Sequence, residues 1–118
     1  MIGRTNRFHG RASIKRLYTR GKSVRAGNLA LKYAPNGRQS FRLAVVVSRK
    51  VSKSAVVRNR IRRRLYENVR ILSNEFNEAY DLVLLVYDAS LAELPPAELA
   101  SEVKRIIKKA KITSATSA

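Results

Sequence analysis

General acid–base or two-metal chemistry needs a poised proton carrier, a nucleophile, or carboxylates a few ångströms apart, and the chain supplies few of these. His9 is the sole histidine, in a basic stretch without a neighbouring carboxylate to orient its ring. Asp81 and Asp88 bracket an apolar run. As the ends of one strand they stand ~23 Å apart at ~3.3 Å per residue, whereas two catalytic metals sit only ~4 Å apart. Glu75 and Glu78 share one face and read as solvated. There is no cysteine, so thiol nucleophiles, thiolate metal sites and disulfides are excluded, and a reducing compartment fits. The glycines, at 3, 10, 21, 27 and 37, are scattered and form no phosphate-cradling loop. No metal site is expected in the protein, and any catalysis must come from a partner.

The side chains that are concentrated are cationic. The 118 residues carry 25 Lys+Arg against 8 Asp+Glu, a net charge of +17. The charge is segregated: residues 1–72 hold 20 basic side chains and one acid, Glu67, while residues 73–118 hold 5 basic and 7 acidic ones. A solubility device would intersperse the signs, whereas segregation builds a positive field over one region and points to a polyanion, nucleic acid first. The core of that region is Ser48-Arg49-Lys50-Val51-Ser52-Lys53-Ser54-Ala55-Val56-Val57-Arg58-Asn59-Arg60-Ile61-Arg62-Arg63-Arg64-Leu65-Tyr66-Glu67. As a helix it puts Val57, Ile61, Leu65, Val69 and Leu72 on a stripe about 120° wide. Asn59, Arg63, Tyr66 and Arg70 fall on the far side with Arg62 beside them, and Arg60, Arg64 and Glu67 on the remaining flank. Like charges at i, i+4 (Arg58/Arg62, Arg60/Arg64) repel, and one acid cannot relieve the crowding. An external polyanion can. Arginine outnumbers lysine six to one over residues 51–70, and its planar fork suits phosphate and base edges where lysine is only a point charge. Arg58-Asn59-Arg60 reads as the centre of such a surface.

These residues must be held by a folded frame, and 45% hydrophobic content with this length predicts one domain over 1–118. Residues 1–11 read as a basic arm. Ser13 caps a short helix with Ile14, Leu17 and Tyr18 on one side, stopped by Gly21. Residues 28–34 alternate as a strand, with Leu29, Leu31 and Tyr33 on one face and Ala30, Lys32 and Ala34 on the other. A second strand over 41–48 sets Phe41, Leu43, Val45 and Val47 against Arg42, Ala44, Val46 and Ser48. The Pro35-Asn36-Gly37 turn between them predicts an antiparallel pair. The long helix starts at Ser52 or Ser54 and runs to about Leu72. The continuous apolar run 81–88 predicts a strand covered on both faces. Pro95-Pro96 opens a last helix with a stripe of Leu99, Val103, Ile106, Ile107 and Ala110, and residues 113–118 read as a frayed tail. The class is α+β, a small α/β sandwich of order α-β-β-α-β-α. No apolar stretch reaches the length of a membrane span and no secretory signal opens the chain, so a cytoplasmic protein without a membrane partner or small-molecule substrate is expected.

The run from Ser48 to Tyr66, a strand ending in a Ser-basic-basic step and then Arg58-Asn59-Arg60 with an arginine cluster, resembles the protein subunit of bacterial ribonuclease P. Ile14, Leu17-Tyr18 and Gly21 ahead of the first strand are similar as well. The resemblance implies a left-handed βαβ crossover, although right-handed ones are the overwhelming rule. It also implies an accessory subunit of an endoribonuclease whose RNA removes the 5′ leader of precursor tRNA with Mg²⁺, and a division of labour within the protein. Arg49, Lys50, Lys53, Arg58, Asn59, Arg60, Arg62 and Arg63 would bind the catalytic RNA. Ile14, Tyr18, Lys32, Val46 and Ser48 would line a cleft, between first helix and sheet, for the single-stranded leader. Members of the family commonly carry three aromatic residues there, at positions matching Ile14, Tyr18 and Lys32, so this chain keeps one. The residues alone leave two other classes open: a small structural ribosomal protein, which needs no small-residue cleft floor, and a DNA-compacting protein, which would bind duplex DNA and structured RNA alike.

Overall fold

The computed structural model describes residues 17–113. Residues 17–20 are helical; then follow β1 (Lys22–Ala26), β2 (Leu29–Pro35), β3 (Arg42–Val46), α1 (Ala55–Leu72), β4 (Tyr80–Val86) and α2 (Pro96–Ala110). Two short 3₁₀ turns, Ser73–Glu75 and Ala89–Ala92, flank β4. The basic arm, His9, Ser13, Ile14 and the tail beyond Thr113 lie outside the described residues. Thr113 itself bridges Phe76, and Asn77 N–H donates to Ile112 O at 2.9 Å, so the expected fraying does not begin there.

The four strands form one sheet in the order β1-β2-β4-β3. This corrects the expected pairing of β2 with β3. β4 inserts between them, antiparallel to β2 (Lys32 opposite Val83) and parallel to β3 (Ala44 opposite Val83). The Pro35-Asn36-Gly37 turn does reverse the chain: Gly37 sits at φ +67°, where side chains are disfavoured, and Asn36 Oδ1 accepts from Arg38 N–H at 2.8 Å. The reversal, however, leaves a gap one strand wide. Asn36 N–H donates across it to Ala79 O at 3.1 Å, and the Asn36 amide to Asp81 at 3.0 Å. The α+β class holds with one strand more than the sequence pattern showed. β1 (Lys-Ser-Val-Arg-Ala) pairs with β2 through a two-residue turn in which Gly27 adopts φ +59°.

Both long helices cover one face of the sheet. Leu29, Leu31, Leu43, Val45, Leu82, Leu84 and Val86 meet Ile61, Leu65, Val69 and Leu72 of α1 and the predicted stripe of α2 in one cluster. Each β4 residue of opposite parity faces the other side, where Leu17, Ala44 and Val83 make a second, smaller cluster with Ala34, Val46 and Leu85 packed against it. Gly21 is where the helical turn meets the sheet. Its N–H donates to Leu17 O at 2.8 Å, and an added Cβ would lie 2.7 Å from Leu17 Cδ1 and 3.0 Å from Tyr33 O. Leu65 is fully buried. Leu65→Ala is therefore expected to lower stability by ~2–5 kcal/mol through lost transfer energy and a cavity, read from urea unfolding; a change below ~1 kcal/mol would mean that α1 does not close this core.

Candidate nucleic-acid interface

α1 begins where the sequence placed it. Ser54 is the N-cap, its hydroxyl accepting from Val57 N–H at 3.2 Å, and the helix ends at Leu72. Ile61, Leu65, Val69 and Leu72 are buried and Val57 is half-buried, which turns the remaining sides outward. One assignment changes: Tyr66, expected on the far side, is half-buried against the main core.

The arginines divide by what they touch. Arg64 faces inward along the chain, donating to Leu91 O at 2.7 Å and to Leu94 O, and so ties α1 to the segment before α2. Arg70 pairs with Glu67, and that hydrogen bond holds the Glu67 carboxyl well below the usual carboxylate range. Arg58 reaches back 3.0 Å to Ser52 O, bracing the loop ahead of the helix. Arg62 donates to Asn59 Oδ1 at 2.7 Å, so Asn59 and Arg62 form one hydrogen-bonded pair on the outer surface. Arg60 stands 4.0 Å from Glu93 with both side chains exposed, a pair worth little in water. Arg63 is exposed and has no hydrogen bond or ion pair among the described residues. Arg49, Lys50 and Lys53 are exposed in the turn that joins β3 to α1. The structure thus gathers all eight predicted basic-surface residues on the outer side of α1 and its leading loop, with Arg58 doubling as a brace.

The opposite face of the sheet carries the second predicted group. Ile14 lies outside the described residues. Tyr18 is 40% exposed, and Lys32 Nζ stands 5.3 Å from its ring centroid, a cation–π distance. Ala30, Ala44 and Val83 form a buried floor, Val46 and Leu85 are half-buried, and Ser48 is exposed at the end beyond β3. At the other end Arg42 holds Asp81 by two bonds of 2.7 Å. That pair lies in the wall of a cavity of about 420 Å³ whose rim includes Leu17, Arg20, Gly21 and Arg38. Asp88 is far from any such pairing; its carboxylate caps the 3₁₀ turn at Ser90 N–H, 2.7 Å away, and these bonds lower its pKa. The sequence reading missed Tyr87, which is 48% exposed on this face, with the Arg25 guanidinium 4.2 Å from its ring centroid. The signal was present: Tyr87 continues the parity of Val83 and Leu85.

Two consecutive arginines of α1, about 100° apart around the helix, give a direct test. Arg63→Ala should leave stability unchanged, weaken binding to structured RNA, and reduce the magnitude of the log K against log[salt] slope by roughly one. Arg64→Ala should instead lower the urea midpoint, because two buried-side carbonyls lose their donor. An unchanged salt slope for Arg63→Ala would remove this face from the RNA surface.

Comparison with known proteins agrees with this arrangement. A family model described as Ribonuclease P matches residues 2–111. The ribonuclease P protein component of Caldanaerobacter subterraneus subsp. tengcongensis is 38% identical over 96 residues, 81% of each chain. That of Roseiflexus castenholzii is 35% identical over 107 residues, 91% of this chain and 87% of the relative. In fold, the Staphylococcus aureus RNase P protein superposes with a TM-score of 0.80 at 24% identity, over 92% of this chain and 98% of that one. The Thermotoga maritima protein gives 0.77 at 21% identity, over 87% and 96%. The chain belongs to the ribonuclease P protein family, as the accessory protein component of an endoribonuclease that acts on precursor tRNA.

Proposed function

We propose that the protein serves its holoenzyme through two surfaces on opposite sides of one sheet. Arg49, Lys50, Lys53, Arg58, Asn59, Arg60, Arg62 and Arg63 bind the catalytic RNA. Tyr18, Lys32, Val46 and Ser48, joined by Ile14, bind the single-stranded 5′ leader of precursor tRNA. The observation that carries this reading is the partly exposed pair Val46 and Leu85, beside the small buried residues Ala30 and Ala44 and near an exposed ring and an ammonium group. A sheet face meant only for packing would be closed. Here a flat base can lie on Tyr18 while Lys32 meets a phosphate. A ribosomal protein would share the basic helix but has no use for such a floor.

Three of the acids are engaged in structural roles, which suits chemistry carried by the RNA. Glu67 answers Arg70, Asp81 answers Arg42, and Asp88 caps a turn. Among the described residues no three His, Cys, Asp or Glu side chains gather where a metal could bind. In this reading Mg²⁺ serves the RNA-catalysed cut, and the protein raises the affinity for the substrate that still carries its leader. No described helix is long and apolar enough to cross a membrane, and a cytoplasmic holoenzyme suits this reading.

Tyr18→Ala is expected to lower holoenzyme affinity for precursor tRNA by ~1–3 kcal/mol, the range for one stacked base. Lys32→Ala should cause a loss that grows as salt is reduced, as a missing phosphate contact does. Neither substitution should alter binding of mature tRNA, which has no leader. Equal losses on both substrates would assign these residues to folding or to the catalytic RNA.

A further inference from the structure

The leader-binding face has one feature that the predicted residues do not use. Tyr87 follows β4 at the parity of Val83 and Leu85, so its ring emerges on the same face as Lys32 and Tyr18. Its backbone is fixed there, Tyr87 N–H donating to Asn28 O at 2.9 Å. Arg25 of β1 reaches it across Ala30: Arg25 lies opposite Ala30, and Ala30 opposite Leu85. Alanine, as the small residue in the middle strand, leaves room for that crossing. The guanidinium lies 4.2 Å from the ring centroid, and the ring remains 48% exposed. A guanidinium resting on one face of an exposed tyrosine biases the ring's orientation, which lowers the entropy lost when a second planar group stacks on it.

We infer that Tyr87, oriented by Arg25, is a second base-stacking platform for the leader, at the β4 end of the cleft beyond Tyr18 and Lys32. This rests on the leader-binding reading of that face and deepens it. The distance along β4 from Val83, the level of Lys32, to Tyr87 is ~13 Å at ~3.3 Å per residue, the length of about four stacked steps at ~3.4 Å each. Burial raises the pKa of Tyr18 first, and Tyr87 adds to the shift. Arg25 serves the same segment as a cation for a neighbouring phosphate, as Lys32 does beside Tyr18. A chain with Ile14 and Lys32 at two of the usual aromatic positions thereby gains, in Tyr87, a second ring beside Tyr18.

The test uses reconstituted holoenzyme, precursor tRNA with a leader of several nucleotides carrying 2-aminopurine at one position at a time, and a leaderless control. Tyr87→Ala should weaken binding of the leader-bearing substrate by roughly 5- to 150-fold, the equivalent of one stacked base. It should also relieve fluorescence quenching at one leader position while leaving leaderless binding unchanged. Tyr87→Phe, which keeps the ring, should behave as the parent. If Tyr87→Ala changes neither affinity nor quenching while Tyr18→Ala and Lys32→Ala still lose leader affinity, the platform is wrong and the cleft stands. An equal loss on leaderless tRNA would make Tyr87 a folding residue and would also overturn the proposal. If none of the three positions shows leader dependence, the cleft reading fails and Tyr87 falls with it.

Discussion

Everything in this fold follows from β4 being apolar on both faces and lying inside the sheet. Leu82, Leu84 and Val86 point to one side, and Val83 and Leu85 to the other. Each side chain removed from water contributes on the order of 1.5–3 kcal/mol, so both sides demand cover. The first side receives α1 and α2 and is closed: Leu82 and Leu84 are fully buried. On the second side, among the described residues, Leu17 of the helical segment 17–20 packs against Ala44 and Val83. Val83 is fully covered but Leu85 only in part. The cleft is the place where cover runs out. Small side chains line its floor, with Val46 and Leu85 partly exposed, which leaves a surface on which a nucleotide base can lie.

The same topology separates two electrostatic tasks. α1 lies on the covered side, so its outer surface looks away from the cleft, and the loop at Arg49, Lys50 and Lys53 links the two at the end of β3. Within α1 the positive charges are distributed by local chemistry. Arg64 is neutralised by carbonyl dipoles at Leu91 and Leu94, Arg70 by Glu67, while Arg60, Arg62 and Arg63 keep their charge turned to solvent. Repulsion among them is tolerated because water and salt screen it over ~8 Å at physiological ionic strength. A phosphate backbone laid along the helix relieves it further, and counterion release then makes association strongly salt-dependent.

Much of this was legible in the residues. The N-cap at Ser54, the stripe ending at Leu72, the two-sided run from Leu82 to Val86 and the α2 stripe are local patterns with a period of their own, and each appears in the structure. The alternation of β2 and β3 likewise gave the two faces, and with them Lys32 and Val46 on the cleft side. What could not be read was non-local. A Pro-Asn-Gly turn announces that the chain reverses but not that a strand from 40 residues later will occupy the space between its arms. β1, five residues long and mostly polar at a sheet edge, has neither length nor alternation enough to stand out. The Arg25–Tyr87 contact depends on that strand and on the inserted β4 together, so the second exposed ring was hidden for the same reason. Tyr66 went astray for a simpler cause: its large ring bends from the polar side of the helix toward the core.

The central claim is that one sheet keeps the two RNAs on opposite sides. Short-range photocross-linkers placed singly at residues 63 and 46 of the holoenzyme bound to precursor tRNA test it most directly. The account predicts that position 63 marks only the catalytic RNA and position 46 only the leader of the precursor. Cross-links from both positions to the same RNA, or a leader cross-link from position 63, would contradict it.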